Sequence, residues 1–259
     1  MSAQQNSNPD IKSSRWSQAT DLKDKTLPWH HIHITLPDRE AAAIWLANHT
    51  PVERRPPTKR SENLVWGPNL LQIQTDAVAN EPRSALIDSV GMGVTNLESA
   101  LAKWQSGGGS VVSKTTETAR MNDPWGTPFE MIETDQAGFT HINIATPDAE
   151  RLRAWYLVNL GGEPVPCGWN SSRLVLMYDT IQIVFAKMEP DFTSTAGRPL
   201  DHLGWYTDDL DATFERLSAN GVSFPVPPRE FGPVRLAFAE DPCGIWFELL
   251  ESQDGNIIK

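Results

Sequence analysis

The stretch from Thr140 to Asp148, THINIATPD, contains the pattern on which the fold prediction rests. Apolar and polar residues alternate over its first six positions, which is typical of a strand with one buried face. Pro147 suits the first turn of a helix, and Thr146 is a candidate cap for that helix. The stretch therefore predicts a strand that leads directly into a helix.

The same landmarks occur earlier in the chain, so the sequence is internally duplicated. Three of them recur in the same order, with an offset that grows slowly from 110 to 118 residues, as a few loop insertions would produce. The pairs are Leu36-Pro37-Asp38 with Thr146-Pro147-Asp148, Gly91 and Asn96-Leu97 with Gly204 and Asp209-Leu210, and Asp123-Pro124-Trp125-Gly126 with Asp241-Pro242-Cys243-Gly244.

Hydrophobic periodicity predicts the order β-α-β-β twice in each half. A second helix is expected after Asp208, with Leu210, Phe214 and Leu217 on its buried side. A short edge strand after each helix, near residues 163–167 and 223–226 in the second half, would complete βαβββ, although prolines weaken that prediction. We expect a polar N-terminal arm and two α+β domains, joined near residues 135–138. The expected divisions are 1–26, 27–134 and 138–252.

Composition excludes several classes of function. The net charge of −11 is unsuited to a nucleic-acid binder, which needs clustered Lys and Arg. No apolar run is long enough to predict a membrane span. Cys167 and Cys243 are expected to be free thiols. The sequence predicts a cytoplasmic protein, or a periplasmic one if a leader had been removed, that acts on a small molecule and can form a homodimer.

Three polar residues in the second half interrupt apolar strand patterns. His141 lies in THINIA, His202 in LDHLGW and Glu248 in IWFELLE. A buried carboxylate is costly unless it is paired or binds a metal. Two imidazoles and one carboxylate from separate strands suit one divalent ion with open positions for a substrate. The same residues are also compatible with hydrogen-bonded strand histidines and a solvent-facing glutamate.

The doubled βαβββ plan, the T-P-D after a strand histidine, the D-H-L-G-W motif and the D-P-x-G turn before F-E resemble the vicinal oxygen chelate superfamily over about residues 28–251. This superfamily includes glyoxalases, epimerases, bleomycin-binding proteins and extradiol dioxygenases. The resemblance implies two domains with cupped mixed sheets. It also implies one divalent metal ion (Zn, Fe(II), Mn, Ni or Mg) on His141, His202 and Glu248.

The first half departs from that ligand pattern. His31 aligns with His141 and Glu130 with Glu248, but Ser89 aligns with His202, so the first half is expected to lack a working site. Some relatives build each site within one half, whereas glyoxalase I combines modules of both halves. In the second arrangement His31 would replace His141.

Further candidate positions follow from the resemblance, from strand parity or from charge. Gln182 matches a fourth-ligand position of glyoxalases and epimerases, and is otherwise a polar residue on a sheet face; Gln72 is its counterpart in the first half. His33 shares strand parity with His31 and can line a pocket. Arg173 and Arg235 are candidate contacts for an anionic substrate, or exposed strand residues.

The resemblance favours non-redox lyase or isomerase chemistry through an enolate or oxyanion, with Glu248 as the proton-transferring residue. An Fe(II) extradiol-type dioxygenase is the first alternative, because two histidines and a carboxylate also suit iron. Lys187 and Phe238 stand where such enzymes carry an acid–base His and Tyr, which disfavours it. A non-catalytic binding or resistance protein is the second alternative.

Overall fold

The computed structural model describes residues 26–75, 86–188 and 194–252. Over these residues the chain forms four successive modules with the order βαβββ. The first contains β1 (Trp29–Leu36), α1 (Arg39–His49), β2 (Glu53–Arg55), β3 (Ser61–Trp66) and β4 (Asn69–Thr75). The second contains β5 (Ile87–Val94), α2 (Leu97–Ser106), β6 (Ser110–Lys114), β7 (Thr118–Asn122) and β8 (Pro128–Glu133).

The second half repeats this plan. Its first module contains β9 (Gly138–Thr146), α3 (Ala149–Asn159), β10 (Glu163–Pro166), β11 (Leu174–Tyr178) and β12 (Ile181–Lys187). The last contains β13 (Leu200–Tyr206), α4 (Leu210–Ala219), β14 (Ser223–Phe231), β15 (Val234–Glu240) and β16 (Trp246–Ser252). The predicted α+β class and tandem βαβββ plan are confirmed. The expected arm lies outside the described residues, apart from residue 26.

The helix starts differ from the prediction by one or two residues. Asp148, not Thr146, caps α3, because its carboxylate accepts the backbone N–H of Arg151 at 3.0 Å. Asp209, not Asp208, caps α4 in the same way. In each case the carboxylate lies three residues before the amide it accepts from, which is the usual spacing for an N-cap.

The prolines in β10 and β14 are compatible with the edge positions of these strands in the two sheets. Each is the outermost strand of its sheet, so a residue without an N–H costs no hydrogen bond on the open side. The two weakly predicted edge strands are therefore present, and β14 is longer than expected.

The sixteen strands form two eight-stranded sheets, and each sheet takes one module from each half. The first sheet has the order β14-β15-β16-β13-β1-β4-β3-β2, and the second has the order β10-β11-β12-β9-β5-β8-β7-β6. β1 pairs antiparallel with β13, and β5 pairs antiparallel with β9. The sheets thus do not follow the predicted division into residues 27–134 and 138–252.

Connection lengths give a physical reason for this exchange. Only four residues, 134–137, separate β8 from β9, so the third module is held beside the second. The connections from β4 to β5 and from β12 to β13 span eleven and twelve residues. These longer connections allow the first and fourth modules to meet in a separate sheet.

One apolar core joins the four modules. Its largest fully buried side chains include Trp104, Trp205 and Tyr156. Asn69 of β4 ties the two sheets together, because its amide donates to the backbone oxygens of Phe139 and Thr180. Both cysteines are free thiols, as expected. No helix in the described part of the chain is long and apolar enough to cross a membrane.

Candidate metal centre

His31, His202 and Glu248 meet on three adjacent strands of the first sheet, β1, β13 and β16. Nε2 of His31 lies 3.4 Å from Nε2 of His202 and 3.4 Å from Oε2 of Glu248. Nε2 of His202 lies 3.6 Å from the same carboxylate oxygen. All three side chains are buried. The three donor atoms therefore form a nearly equilateral triangle.

The size of this triangle suits a metal ion. A point at its centre lies about 2.0 Å from all three atoms, which is the distance at which zinc and similar ions bind imidazole nitrogen and carboxylate oxygen. Two imidazoles and one carboxylate leave further coordination positions open. The residues present thus fit a divalent ion without rearrangement.

Neighbouring side chains orient both imidazoles. The Nδ1 atom of His202 is hydrogen-bonded to the carboxylate of Asp201, which directs Nε2 towards the triangle. The Nδ1 atom of His31 lies 2.7 Å from Nδ1 of His30. Such outer hydrogen bonds fix the tautomer and ring orientation of a metal-binding histidine.

The two imidazoles differ in their affinity for protons. Burial lowers the pKa of His31 well below its usual value, and the neighbouring histidines His30 and His202 lower it further. Burial also lowers the pKa of His202, but hydrogen bonds to Asp201 and Glu248 outweigh burial and raise that pKa to about 9. In the metal-free protein His202 therefore carries a proton between two carboxylates, and a bound cation would replace that proton.

His33 adds a third buried imidazole to this region. Its ring stacks on His202 with centroids 4.2 Å apart, and the donor atoms of His31, His33 and His202 lie within 4.8 Å of one another. These three histidines form a second possible ligand set that shares two members with the first. The sequence showed the shared parity of His31 and His33 but not the contact with His202.

His141, the expected third ligand, lies in the second sheet. Its Nε2 atom is 3.0 Å from Oε2 of Glu130, and the exchanged modules separate it from His202 and Glu248. His31 lies beside His202 and Glu248 instead, which is the position that the exchanged arrangement predicts for it. Gln182 pairs in register with His141 and so also lies away from the triangle.

A cationic side chain fills the second sheet's equivalent site. The guanidinium of Arg173 donates to Glu130 at 3.0 Å and to Asn143 at 2.9 Å. Asn143 in turn donates to Glu130 and to Ser89, the residue that aligns with His202. Arg173 is thus neither an exposed strand residue nor free for a substrate. Its charge balances Glu130 where the first sheet presents metal ligands.

This ion pair predicts acid sensitivity. Burial alone would raise the pKa of Glu130, but hydrogen bonds and charges from His141 and Arg173 lower it to about 2. The hydrogen bond and charge of His141 are the largest causes of this lowered pKa, and the charge of Arg173 and a hydrogen bond from Asn143 add to them. Because the folded pKa lies below the usual 4.5, the contribution to stability is complete above pH 4.5 and is lost as the pH falls towards 2.

We expect this loss to reach about 3 kcal/mol in the free energy of unfolding. Urea titrations between pH 6 and pH 2.5 measure it. Glu130→Gln should be less stable at pH 6, because Arg173 loses its counter-charge, and should vary less with pH in this window. Equal pH slopes for the wild type and the variant would contradict the assignment.

The candidate centre opens into a large cleft on the first sheet, with a volume of about 1230 Å³. This exceeds the usual range of roughly 300–1,000 Å³ for small-molecule pockets. His33, His202 and Glu248 all line it. A bound ligand can therefore reach the triangle directly.

Comparison with known proteins agrees with this fold. Residues 138–249 match the Glyoxalase/Bleomycin resistance protein/Dioxygenase superfamily. Glyoxalase I from Zea mays has a similar fold, with a TM-score of 0.71 and 14% identity over 90% of this chain and 95% of that chain. A candidate dioxygenase from Bacillus subtilis subsp. subtilis str. 168 gives a TM-score of 0.66 and 14% identity over 88% and 86% of the two chains. No curated protein matches the chain.

The fold of the described chain is that of the tandem glyoxalase-like proteins. The second half matches the superfamily directly, and the solved structures share the fold over nearly the whole described chain. Residues 138–249 thus match the glyoxalase, bleomycin-resistance and dioxygenase superfamily, and the solved structures extend the likeness in fold to the first half of the chain.

Proposed function

We propose that this protein is a divalent-metal-dependent enzyme that carries out non-redox lyase or isomerase chemistry on a small substrate with adjacent oxygens. The observation that supports it most is the triangle of His31, His202 and Glu248, with sides of 3.4 to 3.6 Å, at the floor of a large cleft. A divalent ion bound there supplies a Lewis acid that stabilises negative charge on a substrate oxygen.

The protein's own residues would supply binding, orientation and proton transfer. Glu248 is the carboxylate nearest to a substrate at the triangle and is the candidate proton acceptor. Asp201 holds the ring of His202 in place. The strands of the first sheet fix these groups more firmly than loops would, which favours a defined substrate geometry.

An Fe(II)-dependent ring-cleaving dioxygenase is the second candidate, because two imidazoles and a carboxylate also suit iron and His33 adds a further imidazole beside them. Phe238 weighs against it. Its ring packs edge-on against His202, with centroids 5.0 Å apart, and it carries no hydroxyl where dioxygenases of this type place a tyrosine.

A direct comparison of the two reactions tests the proposal. The metal-free protein is reloaded separately with Zn²⁺, Mn²⁺, Ni²⁺ or Fe²⁺. Exchange of the methylene hydrogens of 2-hydroxyacetophenone with D₂O is then followed by NMR, and oxygen uptake is followed with catechol. We expect hydrogen exchange at least ~100-fold above the metal-free protein and no oxygen uptake.

Oxygen uptake with ring cleavage by the iron form would replace the proposal with the dioxygenase. Tight ligand binding without exchange or oxygen uptake, by a protein that holds no metal, would indicate a binding or resistance protein.

A further inference from the structure

Opposite walls of the cleft in the first sheet have opposite chemical character. Tyr206, Leu236 and Leu250 form a separate apolar cluster on β13, β15 and β16, and Val234 and Phe238 pack against it. All five residues line the cleft. This cluster, here called the apolar wall, lies entirely in the fourth module.

The facing wall comes from the first module and is polar. Six of its ten lining residues on β1, β3 and β4 carry a hydroxyl or an amide group, and Val65 and Leu70 are the two apolar ones. Gln72 donates to Asn63, and the Asn63 amide donates to the backbone oxygen of Pro56. These residues, Thr35, Ser61, Asn63, Gln72 and Gln74, form the polar wall. Because the candidate ligands lie on β1, β13 and β16, the metal centre sits where the two walls meet.

Positive charge collects at the opening of this cleft. Lys59, Arg60 and Arg229 are exposed and line it. None of the three forms an ion pair with a residue in the described ranges. This basic mouth stands out on a chain whose net charge is −11.

Acidic residues of the same cleft do not neutralise the basic mouth. Asp201 is bound to His202, and Glu230 lies 3.3 Å from Arg235. Glu248 belongs to the candidate metal centre. The positive charge at the opening is therefore available to an anionic group of a ligand.

A contact across the opening brings the basic residues together. Arg60 lies in the connection between β2 and β3, and its guanidinium carbon is 4.7 Å from the ring centroid of Phe231 at the end of β14. β2 and β14 are the opposite edges of the first sheet. The sheet is thus curved enough for its two edges to meet at the opening of the cleft.

We propose that the substrate of this site is an amphipathic anion. Its adjacent oxygens lie at the metal centre, an aromatic or acyl group lies on the apolar wall, and a carboxylate, sulfonate or phosphate lies at Lys59, Arg60 and Arg229. This inference rests on the proposed function for the metal-bound end, whereas the apolar wall and the basic mouth are observed independently of it.

Matched probes separate the three contributions. Mandelate and lactate share a 2-hydroxycarboxylate end and differ in the aromatic ring. 4-Carboxymandelate and 4-carbamoylmandelate differ only in the distal charge, and a biphenyl pair with the same end groups covers a longer spacing. Binding to the metal-loaded protein is measured by calorimetry, and metal content is measured in the same samples.

Mandelate should bind at least ~10-fold more tightly than lactate. In either the 4-substituted mandelate pair or the biphenyl pair, the dicarboxylate should bind ~10-fold more tightly than the matching carboxamide. The second preference should weaken as salt is added. In the double variant Lys59→Gln/Arg229→Gln the preference for the dicarboxylate over the carboxamide should fall to about twofold, with metal content and carboxamide affinity unchanged. Lys187→Gln, which removes an exposed charge from the second sheet, should keep the full preference.

Equal binding of both members of each pair to a metal-loaded protein would overturn this inference alone. So would an equal loss of preference in Lys187→Gln, or no binding of any probe at millimolar concentration. A protein that holds no metal but still prefers the dicarboxylate through Lys59 and Arg229 would overturn the proposed function and leave the amphipathic anion supported.

Discussion

His202→Ala is expected to abolish stoichiometric metal binding and to lower any metal-dependent turnover by at least ~1000-fold, because a Lewis acid contributes several kcal/mol to such reactions. The Nε2 atom of His202 forms one corner of the triangle and lies 3.4 Å from that of His31. Alanine removes this donor and leaves Asp201 without its imidazole partner. Elemental analysis of protein expressed with Fe, Zn, Mn and Ni present measures the loss.

A matched comparison of two aligned histidines identifies the third ligand. His31→Ala should lose metal as His202→Ala does, whereas His141→Ala should keep the wild-type metal content. His141→Ala removes an equally buried imidazole, so a general effect of cavity formation would appear in both variants. Metal loss in His141→Ala with retention in His31→Ala would show that the triangle is not the binding site.

Local features of the fold could be predicted from the sequence because they depend on short-range patterns. THINIATPD gave a strand and a helix start, and β9 and α3 lie there. The helix cap is Asp148 and not the predicted Thr146. Several residues near a helix start can each accept a hydrogen bond from a backbone amide, and only the local geometry selects one of them. The edge strand β10 was predictable in spite of its prolines because an edge tolerates them.

The pairing of modules could not be predicted from those patterns. Each module begins with the same type of strand, so the strand pattern alone does not say whether β1 pairs with β5 or with β13. The equivalent contacts are nearly identical, since His31 pairs with Gly204 and His141 pairs with Gly91. The four-residue connection between β8 and β9 holds the second and third modules side by side, and in the resulting sheets His31 rather than His141 lies beside His202.

Two contacts were not predicted from the sequence: the stacking of His33 on His202 and the pairing of Arg173 with Glu130. Each contact joins side chains from different modules. The parity of His33 with His31 was visible, but its stacking on His202 required the exchanged sheet. Arg173 lies on the connection before β11, and nothing nearby in sequence points to Glu130, which is 43 residues away. Long-range electrostatic pairs of this kind leave no local pattern.

Gly204→Ala is expected to weaken metal binding by ~10- to 100-fold without replacing any ligand. Gly204 pairs with His31 across β1 and β13, and a methyl group at this position would lie 2.2 Å from Nδ1 of His31. A real Cβ does not approach another atom so closely, so the imidazole must move. Its Nε2 atom would then leave the position 3.4 Å from His202 and Glu248.

Gly91→Ala is the matched control, because its added methyl group would lie 2.2 Å from the ring of His141 in the second sheet. Both substitutions overpack a buried imidazole and should cost ~1–3 kcal/mol in the free energy of unfolding. Only Gly204→Ala should lower metal affinity, measured by competition with a chelator. If both variants lose metal equally, the effect is general destabilisation. If neither does, the ring of His31 does not need its present position to bind the ion.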